Sequence, residues 1–131
     1  MSESVVRIGL IGLGNVGQGV INVLRTNAGD IERRLGRKMV VTKASARDLS
    51  RPRQVSVDGI ELVSDPFAIV RDPEVDLVVE AIGGQQPAKD LIVAALEAGK
   101  PVATANKALL AEDGNSIFAA AAKAGAMVAF E

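Results

Sequence analysis

The chain has no cysteine, no histidine, no tryptophan and no tyrosine, and its only aromatic residues are three phenylalanines. Without cysteine, neither a disulfide framework nor a thiolate metal site can form. Without histidine, acid–base chemistry falls to Lys, Asp or Glu, or to groups outside this chain. Base-stacking platforms for single-stranded nucleic acid need aromatic rings that are missing here. Charge offers no other route to nucleic acid, because the net charge is -1 with acids and bases interspersed. No apolar run approaches the roughly 20 residues of a membrane helix. The opening MSESVV lacks the basic and apolar regions of a signal peptide. A soluble, cytoplasmic protein with no nucleic-acid and no membrane partner is expected.

What is present suits one packed domain: 131 residues, 48% hydrophobic and 24% charged. Val5 to Ile11 is a short run rich in β-branched residues and reads as a buried strand. Val16, Val20, Val23 and Leu24 then follow helical spacing, and the polar stretch NAGDIERRLGRK extends or follows that helix on the surface. Met39 to Asp48 reads as a second strand, and RPRQVSVDGIELV as a loop with Asp58-Gly59 as its turn. Asp65-Pro66 starts a short helix. EVDLVVEAIGG is a buried strand ending in a glycine pair. Pro87 to Ala98 carries the apolar pattern Ala88, Leu91, Ile92, Ala95, Leu96, with Gly99 at the stop. PVAT is a brief strand, NSIFAAAAKAG a helix closed by Gly125, and MVAF a last strand. Strands alternating with helices predict a mostly parallel sheet with helices on both faces.

Between the first strand and its helix lie Gly12, Gly14, Gly17 and Gly19. The spacing Gly12-x-Gly14-x-x-Gly17 has a mechanical meaning at a strand-to-helix turn. Gly12 permits the tight turn, Gly14 lets a pyrophosphate approach the backbone, and Gly17 lets the helix pack on the strand. The helix start, with Asn15 and Val16, offers N–H groups and the positive dipole end to phosphates. Gly19 is expected to ease packing against a neighbouring strand. The predicted fold is therefore a Rossmann-type, doubly wound α/β domain. Taken alone, the motif leaves open a mononucleotide or other phosphate ligand, or a plain glycine-rich turn.

An NAD site usually has Asp or Glu at the end of the second strand. Here the strand ends in KASARD. Arg47 stands near that position, with Lys43 on the same strand and expected on the same face. A cation there suits the 2′-phosphate, so NADP is favoured over NAD. Asp48 would serve NAD instead.

Two later stretches, VVEAIGGQQPAKDLIVAALEAGKPVATANKALLAEDG from Val78 to Gly114 and the terminal VAFE, carry more specific information. With GLGNVGQG they resemble homoserine dehydrogenase, in the order found in that family and over nearly the whole chain. The resemblance implies NAD(P)-dependent interconversion of L-homoserine and L-aspartate 4-semialdehyde in threonine and methionine biosynthesis. It covers the cofactor half, residues 1–131. A substrate-binding and oligomerisation region, and a homo-oligomeric enzyme, are implied beyond it, with the main proton-donor Lys there. The resemblance also sets Lys107 at the cofactor–substrate junction as the catalytic candidate, and matches Glu131 to one ligand of a structural cation. Its companion ligands would lie past Glu131, so no metal is expected on this chain.

The residues themselves lead to a similar place. Thr104, Ala105, Asn106 and Lys107 follow the C-terminal end of a predicted strand, where doubly wound sheets bind ligands. A Lys at a helix N-terminus is disfavoured by the dipole, a misfit that points to function. Its ammonium is expected near a low-dielectric cleft. Ile82, Gly83 and Gly84 would let backbone lie against ribose or nicotinamide, unless they form a plain turn. Glu80, inside a strand, needs a partner that the pattern does not name. The abrupt end on an apolar strand suggests a piece of a longer enzyme. Two rival functions remain: the cofactor half of another small-aldehyde or imine reductase, and a stand-alone NAD(P) sensor.

Overall fold

The computed structural model describes residues 5–50, 52–84, 86–104 and 106–130. The elements are β1 (Val5–Ile11), α1 (Asn15–Thr26), α2 (Ala28–Leu35), β2 (Lys38–Ser45), β3 (Glu61–Val63), α3 (Pro66–Val70), β4 (Leu77–Glu80), α4 (Ala88–Glu97), β5 (Val102–Thr104), α5 (Lys107–Ala124) and β6 (Val128–Phe130). The strands form one sheet in the order β3-β2-β1-β4-β5-β6. Every pairing is parallel. This is the strand order of the dinucleotide-binding Rossmann fold, with its switch point between β1 and β4.

Period-2 alternation sends neighbouring β1 side chains to opposite faces. Ile8 and Leu10 pack with Ile21 of α1 and with Val41 and Ala44 of β2. Ile11 packs on the other face with α3, α4 and α5. That second face holds the larger core, including Leu91, Ile92, Ala95 and Leu96 of α4, all fully buried. Gly9 is where α3 crosses β1. A Cβ there would lie 2.4 Å from Ile69 Cγ2 and 2.9 Å from Val75 Cγ1.

Several elements differ from the sequence pattern. The strand read as Met39 to Asp48 stops at Ser45. Its pairing with β1 shifts after Ile8, so that Val41 faces Ile8 and Lys43 faces Gly9. That irregularity and the early strand end remove the basis for setting Lys43 and Arg47 on one face. Lys43 instead meets Asp72 of the α3–β4 turn, and lies 3.7 Å from Glu61 of β3. The end of the stretch read as a loop is β3, held by pairing to Lys43, Ala44 and Ser45. The last long helix begins at Lys107, eight residues before NSIFAAAAKAG, because Asn106 caps it by accepting from the Leu109 N–H at 3.1 Å. The AEDG segment bends this helix at Asp113 rather than ending it. Lys89 of α4 meets the bend through Asp113 at 3.3 Å.

At the N-terminal edge of the sheet, Arg7 and Asp76 tie β1 to the segment entering β4. The guanidinium donates to both carboxylate oxygens at 3.1 and 3.2 Å, and the Arg7 N–H donates to Asp76 at 2.8 Å. The hydrogen bond from Arg7 holds the Asp76 carboxyl below its ordinary range, against the opposing effect of burial. Lys43 does the same for Asp72, helped by the Glu74 N–H. A carboxyl lowered on folding contributes stability above its unfolded pKa of about 4, and loses it as pH falls through the folded value. Asp76→Asn should cost about 0.5–1 kcal/mol at pH 7, since the pair is about one-third exposed. It should also shrink the stability lost on acidification below about pH 4. Urea unfolding at both pH values checks this, and an unchanged acid loss in the variant would contradict it.

Candidate dinucleotide-binding site

The turn after β1 is built by two contacts that no side chain survives. Gly12 has φ +104°, and its N–H donates to the Ser45 carbonyl at 3.1 Å. A Cβ on Gly17 would lie 2.0 Å from the Gly12 carbonyl oxygen. Gly14 is different, with nothing within 4 Å of its Cβ position. It is the N-cap of α1, has no side chain to cap with, and is exposed beside Asn15 and Val16. The first N–H groups of α1 therefore face open space with the positive end of the helix dipole behind them. Gly19 is exposed and has nothing near its Cβ position, so the expected packing role is absent.

A cavity of about 570 Å³ lies beside this turn, at the C-terminal ends of β1, β2 and β4. Gly12 to Gly14, Ser45 to Asp48, Arg53 and Ile82 contribute to its wall. This is the crevice where open α/β sheets bind ligands. Arg47 and Asp48 both line it, just past the end of β2. The Asp48 carboxylate accepts from the Ser50 N–H at 3.0 Å and the Ser50 hydroxyl at 2.7 Å. Arg53 donates to the Leu49 and Asp48 carbonyls at 3.0 and 2.6 Å. Sequence reasoning missed Arg53, because the irregular segment carrying it has no periodicity from which a wall position can be read.

A second loop system closes the C-terminal ends of β4 and β5. Glu80 is 1% exposed, and one carboxylate oxygen accepts the N–H groups of Ile82 and Gly83 at 3.0 and 2.9 Å. The other accepts the Thr104 hydroxyl. Thr104 Oγ1 in turn accepts the Asn106 N–H at 3.0 Å. The Asn106 amide donates to the Gly84 carbonyl at 2.6 Å while its oxygen caps α5. The partner that Glu80 needs is thus this network. Gly83 and Gly84 both have φ +74°, the left-handed conformation that suits glycine.

Of the expected site residues, Gly12, Gly14, Arg47 and Ile82 line the cavity. Asn15, Val16, Gly83, Gly84 and Lys107 are exposed outside its wall. Gly17 is buried in the turn, and Thr104 and Asn106, 4% and 8% exposed, have their side chains engaged in the network. Lys107 opens α5 with an exposed side chain, rather than near a low-dielectric cleft, because Leu109 takes the inward position at the helix start. Glu131 lies outside the described residues. Among the described residues no group of three or more acidic, His or Cys side chains is arranged to hold a metal, and no helix is long and apolar enough to cross a membrane.

A family model described as homoserine dehydrogenase, NAD binding domain, matches residues 12–131. The chain belongs to this family. It is 46% identical over 127 residues to homoserine dehydrogenase of Pseudomonas aeruginosa, covering 96% of this chain and 29% of that protein. The Neisseria gonorrhoeae enzyme is also 46% identical, over 126 residues. Among solved structures, homoserine dehydrogenase from Thiobacillus denitrificans matches with TM-score 0.89 and 47% identity, covering 97% of this chain and 29% of that one. The Staphylococcus aureus enzyme at pH 8.5 gives TM-score 0.90 and 34% identity, covering 98% of this chain and 32% of that one. The chain spans about 29% of the length of the curated homoserine dehydrogenases it matches.

The glycine geometry makes a differential prediction. Gly17→Ala should cost about 3 kcal/mol, the upper end of what overpacking costs, because its Cβ meets a backbone oxygen that cannot rotate away. Gly14→Val should cost no more than about 1 kcal/mol, the loss of a glycine N-cap at an otherwise open position. Thermal and urea unfolding of the two variants decide this, and comparable losses would contradict the assignment of roles.

Proposed function

We propose that this chain is the cofactor-binding part of an enzyme that interconverts L-homoserine and L-aspartate 4-semialdehyde with NADP(H), in threonine and methionine biosynthesis. The observation that carries the proposal is Gly14, open at its Cβ position at the start of an uncapped helix and on the wall of the cavity. The residues present fit a dinucleotide. Gly14 and the N–H groups of Asn15, Val16 and Gly17 hold the pyrophosphate, with Gly12 and Gly17 shaping the turn. When bound, the nicotinamide exchanges hydride with the carbon that is aldehyde in one substrate and alcohol in the other.

The chain's own part is to bind, orient and hold. Ile82, Gly83 and Gly84 support the ribose and nicotinamide end. Thr104 and Asn106 act from behind, fixing that loop and the start of α5. Lys107 donates a hydrogen bond to the substrate oxygen as charge develops on it. The proton delivered to that oxygen comes from the substrate-binding region of the whole enzyme, which by family resemblance is a homo-oligomer. NADP is favoured over NAD because two guanidinium groups, Arg47 and Arg53, share the wall, while the Asp48 carboxylate is turned into its own loop by Ser50.

The chain alone should bind NADPH and leave homoserine unoxidised. Titration of NADPH fluorescence followed by a homoserine oxidation assay tests both halves. Absence of binding, or robust turnover, would contradict the proposal. Arg47→Ala should weaken NADPH about tenfold and NADH little, as for one exposed charge-assisted hydrogen bond. Equal losses for both cofactors would move the ribose contact to Asp48.

A further inference from the structure

Gln18 stands four residues into α1 from its N-cap, where its N–H donates to the Gly14 carbonyl at 2.9 Å. Its side chain turns back across the cofactor turn. Nε2 donates to the Leu13 carbonyl at 2.9 Å, and Oε1 accepts the Gln54 N–H at 2.8 Å. One amide therefore joins the peptide between Gly12 and Gly14 to the irregular segment linking β2 and β3. Both anchor points adjoin the cavity, because Leu13 and Arg53 line it. Within the segment that precedes Gln54, Ser50 donates to the Asp48 carboxylate and Arg53 donates to the Asp48 and Leu49 carbonyls. A further tie to α1 lies farther along, from Arg25 to the Ser56 carbonyl at 2.6 Å.

We propose that Gln18 is a positioning residue for cofactor discrimination, holding the loop that carries Arg53 and follows Arg47 at a fixed distance from the pyrophosphate turn. The proposal rests on the dinucleotide function above and deepens it. The chemistry of the amide is specific to this task. Donor and acceptor sit at one tip, a combination that Glu, Lys and Met lack. With the pin in place, the loop that carries Arg53 and follows Arg47 is held beside the phosphate turn. Without it, the cost of ordering the loop falls on the ligand. NADPH, which engages those cations through its 2′-phosphate, bears most of that cost. NADH engages the pyrophosphate turn and is affected less. A hydrogen bond with only a structural role would alter stability and weaken both cofactors alike.

The test titrates NADPH and NADH by fluorescence at one ionic strength against the parent chain, Gln18→Met and Gln18→Glu, with thermal unfolding in parallel. Met keeps the side-chain length and the helix preference, so the fold is retained. Gln18→Met removes both side-chain hydrogen bonds and should raise the NADPH dissociation constant about five- to tenfold, the lower end of what two such bonds are worth, and the NADH constant less than about twofold. Gln18→Glu still accepts from Gln54 but loses the donor to the Leu13 carbonyl and sets a negative oxygen against it, so it should weaken both cofactors and shift their ratio in the same direction as Gln18→Met. An unchanged NADPH-to-NADH ratio in Gln18→Met, with or without loss of affinity, would overturn the proposal. A parent chain that binds neither cofactor would overturn the function on which it rests.

Discussion

The Gly12 carbonyl oxygen sits 2.0 Å from where a Cβ of residue 17 would be. This close approach seats the first turn of α1 directly against the end of β1. The uncapped helix start is thereby fixed in place, open at Gly14 toward the cavity. Gly12 also bonds the end of β2 through Ser45, and its Cβ position lies 2.8 Å from Ile82 Cγ2 beyond β4. Three strand ends are thus registered on one residue. The open N–H groups at the start of α1, the wall carrying Arg47 and the apolar contact at Ile82 keep their spacing because the turn cannot relax around a side chain.

The second organising contact is electrostatic. A buried carboxylate is costly unless donors replace water. Glu80 has two backbone N–H groups and a hydroxyl as partners in place of water. Through them the loop after β4 and the turn after β5 form one unit, closed by Asn106 on Gly84 and on α5. Lys107 starts its helix from this unit, so its position depends on Glu80 without touching it.

Local patterns made part of this legible from the residues alone. The glycine turn, β1, β4 and the buried face of α4 each declare themselves within a dozen residues through periodicity and punctuation. Other features depend on distant partners. β3 has three residues and exists by pairing with β2. The Glu80–Thr104 and Asn106–Gly84 bonds span 24 and 22 positions, so the sequence can supply a buried carboxylate and two candidate site residues without showing that they belong together. The first half of α5 was hidden because Glu112-Asp113-Gly114 has turn chemistry, while packing of Leu109 and Ile117 carries the helix through the bend. Lys43 was drawn off by Asp72 across an irregular β1–β2 pairing. The family motif covered this gap, since TANKALLA identifies the segment without explaining its geometry.

The central claim is that a dinucleotide pyrophosphate sits on the N-terminus of α1. Amide chemical shifts of the 15N-labelled chain, followed as NADPH is added, test it most directly. The largest perturbations should fall on Gly14, Asn15, Val16 and Gly17, with a second group at Ile82 to Gly84. Shifts confined to the second half of α5 and β6, with the α1 amides unmoved, would contradict it.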